Sequence, residues 1–130
     1  MSNTRHVVVV RKDLNMPMGL MAAQVAHISD QFMREKLLED KNEAGSPSFF
    51  TYEWDWFKDP YLSVLAVNCK EDLDIISKEA VENGLKVRSW GDLVPSPTFP
   101  DRMIKTVIGI SIGPDDFDKI KIVTGKLPLL

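Results

Sequence analysis

Val7–Val10 is an unbroken run of β-branched residues, the pattern of a strand buried on both faces. Pro17 and Gly19 then break the stretch Asp13–Gly19, which predicts a loop. From Leu20 to Glu39 the period changes. Met21, Val25, Ile28 and Phe32 recur at spacings of four, three and four, one apolar stripe along a helix. Ala22, Ala23 and Ala26 add helix propensity to the same segment.

Residues 41–60 lack a clear period and hold Gly45, Ser46 and Pro47 followed by Phe49, Phe50, Tyr52, Trp54, Trp56 and Phe57, so they read as a long aromatic loop. Tyr61–Val67 predicts a second buried strand. Asn68, with Glu71 three residues on, predicts a capped helix start. Leu73, Ile76 and Ala80 give that helix an inner face, and Gly84 ends it in a left-handed cap. Val87 and its neighbours predict a short strand, and Gly91 to Arg102 a proline-rich loop. Thr106–Ile112 reads as a further strand. Pro114 at a first helical position, with Asp115 and Asp116 in the first turn, predicts a last helix that stops at Gly125. Strands alternate with helices, so the expected fold is α/β: a single domain over 1–130, layered α/β/α around a small mixed, largely parallel sheet.

Composition narrows the class. A chain of 130 residues with 44% apolar and 27% charged residues is expected to bury one ordinary core. No apolar run reaches the roughly 18–20 residues needed to span a bilayer, and Val7–Val10 is too short for a signal peptide's apolar region, so a cytoplasmic protein is expected. Cys69 is the one cysteine, which excludes an intrachain disulfide and a multi-cysteine metal site. The formal charge of −3 argues for no globally basic nucleic-acid surface, although a local patch can sit on an acidic chain.

Gly19 stands alone before the first helix, which leaves neither a dinucleotide fingerprint nor a phosphate loop. Two histidines and one cysteine do not make a familiar zinc site, and neither a metal nor a cofactor is expected. His6, just before the first strand, reads as structural or solvated. Gln24 and His27 lie three apart near the predicted helix start and share one side of it. An imidazole there can take a proton from water, an amide can orient that water or a carbonyl, and helix N-terminal amides favour developing negative charge. On spacing alone, such a pair on a helix shoulder is more often hydrogen-bonded structure.

The stretch Val7–Arg11, Asp13-Leu14, Ala22-Ala23-Gln24 and His27 resembles the opening of the type II peptidyl-tRNA hydrolases, V-V-R-x-D-L-K-M-G-K-G-K-x-A-A-Q-x-x-H. Thr106–Ile110 with Gly113-Pro114 resembles that family's T-V-L-G-I-G-P, and Ile122–Leu130 its K-V-T-G-H-L-K-L-L ending. The resemblance runs in order from the first strand to the last residue. It implies hydrolysis of the ester joining a peptide to the 3′ end of tRNA, with no cofactor, in a homodimer. On this sequence it implies catalytic roles for His27, Gln24 and Asp92. Asp13 and Thr98 would hold substrate. Apart from the resemblance, Arg11, Lys12 and Lys105 are the basic residues that remain as candidate contacts to RNA phosphate, though scattered basic residues are usually solvated surface.

The sequence departs from that pattern at specific places. The three motif lysines fall on Asn15, Met18 and Leu20, which removes positive charge beside the ester. The second motif, D-x-G-R-T-Q, is represented by Asp92 and Thr98 alone, and Ser111-Ile112 reads as an insertion before Gly113. These departures keep a second reading open: a catalytically degenerate member of the fold that binds a small molecule or protein through the aromatic segment Phe49–Phe57.

Overall fold

The computed structural model describes residues 3–39 and 49–130. Its elements run β1 (Thr4–Arg11), α1 (Met18–Glu39), α2 (Thr51–Lys58), β2 (Leu62–Val67), α3 (Lys70–Glu82), β3 (Val87–Pro95), β4 (Met103–Asp116) and α4 (Phe117–Thr124). The four strands form one sheet in the order β2-β1-β4-β3. β1 lies between two partners, which is why its valines carry no polar alternation: Val8, Val9 and Val10 are each 0% exposed.

Successive residues of β1 point to opposite faces, and each face has its own helices. Val8 and Val10 pack with Ile28 of α1. Val7 and Val9 pack with Leu73 and Ala80 of α3 and with Ile120 and Val123 of α4. Each large apolar side chain so removed from water is worth roughly 1.5–3 kcal/mol. Helices therefore cover both faces, as the α/β/α reading expects. Gly84 takes φ +75° just beyond α3, the left-handed turn expected of a glycine there.

Several boundaries differ from the sequence expectation. The sheet is mixed, but its balance is antiparallel: β1 pairs β2 in parallel, while β4 runs antiparallel to both β1 and β3. The reason is that β3 and β4 are joined by a short turn rather than by a crossover helix. The aromatic segment is not all loop, since residues 51–58 form α2; Gly45, Ser46 and Pro47 lie outside the described residues. Glu53 starts α2 by accepting the Phe50 N–H at 2.8 Å, and Lys36 of α1 pairs with the same carboxylate at 3.5 Å. Trp56 and Phe57 then pack on Phe32, with ring centroids 5.7 and 5.8 Å away.

Cys69, not Asn68, precedes α3 as its N-cap. Pro114 does not open the last helix. It lies within β4 after a cis Gly113–Pro114 bond, and Asp116 caps α4 by accepting the Asp118 N–H. His6 is neither at a strand entrance nor solvated; it is a fully buried residue of β1.

The tail returns to the sheet. Ala66 donates to the Pro128 carbonyl and Leu130 to the Val64 carbonyl, each at 3.0 Å, so the last residues pair along the outer edge of β2. No helix among the described residues is long and apolar enough to cross a membrane.

Candidate active site

The polar residues singled out on α1 meet β3 on the face that α1 covers. The sequence reading ended the third strand before Gly91, yet β3 continues to Pro95 through a register shift between Trp90 and Gly91. Asp92 is thus a strand residue. Trp90 packs against both small clusters beneath α1, and Val94 is buried in one of them. Asp92, two residues from each, comes up beside Gln24.

Gln24 is 3% exposed and uses both ends of its amide. Its Oε1 accepts the Trp90 Nε1–H at 2.7 Å, and its Nε2 donates to Asp92 Oδ2 at 3.0 Å. Asp92 Oδ1 accepts the Leu93 N–H at 2.8 Å. The Gln24 hydrogen bond, then the Leu93 amide, then the charge of His27 hold the Asp92 carboxyl below the usual carboxylate range. His27 lies one turn further along α1, exposed, with its ring stacked on Trp90 at 5.0 Å and 18°. No hydrogen bond joins His27 to Asp92 among the described residues; charge and a shared neighbour, Trp90, relate them.

Trp90 is therefore the hub, and the sequence reading missed it. Arg34 was missed as well. Its guanidinium lies 5.3 Å from the Trp90 ring centroid, its Nη2 donates to the His27 carbonyl at 3.1 Å, and its Nε pairs with Asp30. Two patterns could have exposed them: strand alternation putting Trp90 on the Asp92 face, and helical spacing putting Arg34 two turns beyond His27.

A second polar group stands at the C-terminal end of β1. The last β1–β4 pair is Val10 with Gly109, and beyond it Arg11 takes over the exposed edge of β4. Its Nη1 donates to the Val107 carbonyl at 3.0 Å and to Thr106 Oγ1 at 2.9 Å. Its Nε and Nη2 grip Asp13 at 3.0 and 2.9 Å. That bidentate bond lowers the Asp13 pKa and raises that of Arg11. The Arg11 guanidinium is thus already engaged in the fold. Lys12, Thr98 and Lys105 are exposed, and no hydrogen bond takes any of them to Gln24, His27 or Asp92 among the described residues.

The helix dipole acts elsewhere than expected. α1 begins at Met18, so Gln24 and His27 lie six and nine residues inside it, roughly 9 and 14 Å along the axis from its first amides. Of the motif-lysine positions, Met18 is 87% exposed, Asn15 is exposed in the left-handed region (φ 49°), and Leu20 packs into the cluster beneath α1. A groove of about 990 Å³ opens on the other flank of α1, lined by Lys12, Met16, Met21, Val25, Val64 and Leu130, and it shares no residue with the Gln24–Trp90–Asp92 group.

The family described as "Peptidyl-tRNA hydrolase PTH2" matches residues 4–130 of the chain. The peptidyl-tRNA hydrolase of Methanopyrus kandleri is 32% identical over 127 residues, covering 97% of this chain and 97% of that protein. The peptidyl-tRNA hydrolase of Nanoarchaeum equitans is 32% identical over 131 residues, with 96% and 97% covered. That of Methanothermobacter thermautotrophicus is 33% identical over 131 residues, with 97% and 99% covered.

Proposed function

We infer from its membership that this chain, which belongs to the peptidyl-tRNA hydrolase PTH2 family, hydrolyses the ester between a peptide and tRNA. The observation that carries the reading to particular residues is the Trp90–Gln24–Asp92 hydrogen-bond chain with His27 stacked beside it. Neutral His27 takes a proton from water, and the resulting hydroxide adds to the ester carbonyl carbon. The bond from that carbon to the terminal ribose oxygen then breaks, and His27 returns the proton to that oxygen. The products are tRNA with its hydroxyl restored and a peptide carboxylic acid, which gives its proton to solvent.

In this reading Asp92 favours the imidazolium that forms on His27 by charge, without bonding to it. Gln24 holds the carboxylate in place, and Trp90 holds both Gln24 and the His27 ring. Arg34, Lys12 and Lys105 offer exposed positive charge to RNA phosphate, partly replacing the lysines whose positions hold Asn15, Met18 and Leu20. Arg11 and Asp13 support the site by shaping the end of β1, and Thr98 contributes to holding substrate from the β3–β4 turn. The reading places the chain in the cytoplasm as one domain over 1–130 and as a homodimer, which sedimentation equilibrium tests directly.

The aromatic segment offers less to the rival binding reading, because Trp56 and Phe57 are spent on packing against Phe32. The deciding experiment is release of peptide from N-acetylaminoacyl-tRNA by the purified protein and by its His27→Ala variant. Turnover by the parent and its loss in a folded variant is the expected result. A folded parent with no turnover would overturn the reading.

A further inference from the structure

Among the described residues β3 is an outer strand of the sheet, and its outer edge passes through the candidate site. Main-chain groups alternate along such a strand, one residue bonding inward to its partner and the next facing out. Three observations fix the phase. The Ser89 carbonyl faces out, since Gln31 Nε2 donates to it at 3.1 Å. The Leu93 N–H faces out to Asp92 Oδ1. Pro95, which has no N–H to give, sits at the next outward position, where a strand tolerates proline. Gly91 lies midway between Ser89 and Leu93, so its N–H and C=O both face out.

The side-chain covers on either side stop short of Gly91. Gln31 covers the edge at Ser89, and Asp92 covers it at Leu93. Between these two covers, what they leave open among the described residues is the Ser89 N–H and the N–H and C=O pair of Gly91. The flanking residues, Trp90 and Asp92, are the two β3 members of the proposed catalytic group. The missing side chain of Gly91 serves the sheet itself, since a Cβ there would come within 3.2 Å of the Thr106 carbonyl oxygen of β4.

We propose that the outer edge of β3 at Gly91 pairs with the main chain of the peptidyl part of the substrate, as a short added strand. The inference rests on the peptidyl-tRNA reading above and deepens it. The argument is one of chemistry and place. Peptides that differ in sequence share only their main chain as something to hold. The outward main-chain donor and acceptor of Gly91, open among the described residues, stand next to the residues that would attack the ester. The carbonyl under attack is the last of the peptide, so in this arrangement the amides that precede it are the groups that pair with Gly91.

The test changes the substrate and leaves the fold untouched. The kcat/KM is measured for N-acetylaminoacyl-tRNA and for peptidyl-tRNAs of two, three and four residues. The longer set is repeated with the amide nitrogen nearest the ester methylated, and again with the next one methylated. The expected result is a rise of about tenfold in kcat/KM with the second or third residue, the scale of one or two net hydrogen bonds, and its loss on one of the two methylations. Equal kcat/KM for one residue and four, or indifference to both methylations, would overturn the proposal. If N-acetylaminoacyl-tRNA is still cleaved in that case, the hydrolase reading survives and only the edge pairing falls. Failure to cleave any of the substrates would take down both.

Discussion

Gln24 and Asp92 are joined by a hydrogen bond whose direction is set from the far side of the amide. The indole of Trp90 can only donate, so the Gln24 oxygen must turn toward it and the amide nitrogen toward the carboxylate. A buried amide with one such neighbour has no freedom to flip, and Asp92 receives a fixed donor.

Gln24→Ala removes that donor. The Asp92 pKa then rises toward the ordinary carboxylate range, because the largest influence holding it down is gone. A carboxyl-carbon NMR titration of the two proteins reads the shift directly; an unchanged Asp92 pKa would show that Leu93 and His27 suffice.

Trp90→Phe keeps a ring beneath His27 but deletes the N–H. Gln24 Oε1 is then buried without a partner, at a cost of about 1–3 kcal/mol. Urea denaturation should show that loss, whereas a change within error would mean that water replaces the indole.

His27→Ala should lower kcat by about 10²–10⁴-fold, the range for loss of a general base. His27 is exposed on α1 and alanine favours helix, so the thermal midpoint should hold. Paired activity and melting measurements check both halves.

His6 makes the fold sensitive to acid. It is buried with neither ring nitrogen hydrogen-bonded among the described residues, its ring edge-on to Phe32 and Trp56 at 5.2 Å each. Burial first, and the charge of Arg88 second, push its pKa down to about 3. The unfolded chain binds a proton near pH 6.5 that the folded chain refuses, so stability is full above that pH and falls as pH drops toward 3. The limiting slope is about 1.4 kcal/mol per pH unit for one proton. His6→Leu should flatten the denaturation free energy between pH 6 and pH 4, and a slope equal to the parent's would assign the effect to other groups.

Asp13 acts at lower pH by the same sign. Its pKa is lowered chiefly by the bond from Arg11, so the pair stabilises the fold above the unfolded carboxylate value, about 3.9, and less as pH falls through the lowered folded value. Asp13→Asn should therefore matter at neutral pH and become neutral in strong acid, as denaturation curves at the two extremes would show.

What could be read from the chain follows from periodicity. Val7–Val10 and the Met21-Val25-Ile28-Phe32 stripe are long-range patterns whose faces the tertiary structure uses as written. Gln24 and His27 were legible because they interrupt such a pattern. Asp92 was found only through the family motif, and Trp90 not at all, since Gly91, Pro95 and Pro97 together spell a loop by local preference. Tertiary context overrides that preference: the register shift absorbs Gly91, and the outer edge of the sheet has no use for a Pro95 amide. Residues 51–58 were hidden for a different reason. α2 is too short to show a period, and what holds it in place, Glu53 paired with Lys36 and Trp56 and Phe57 packed on Phe32, are contacts with α1.

The returning tail closes one side of the sheet while the other stays open at Gly91. Pro128 and Leu130 occupy the outer edge of β2, where an arriving strand would otherwise bind. A molecule with a single vacant side can receive a strand but cannot hand the pairing on. Stacking of identical chains into a fibril requires both sides, so strand addition here ends after one step, with the chain's own last residues acting as the terminator.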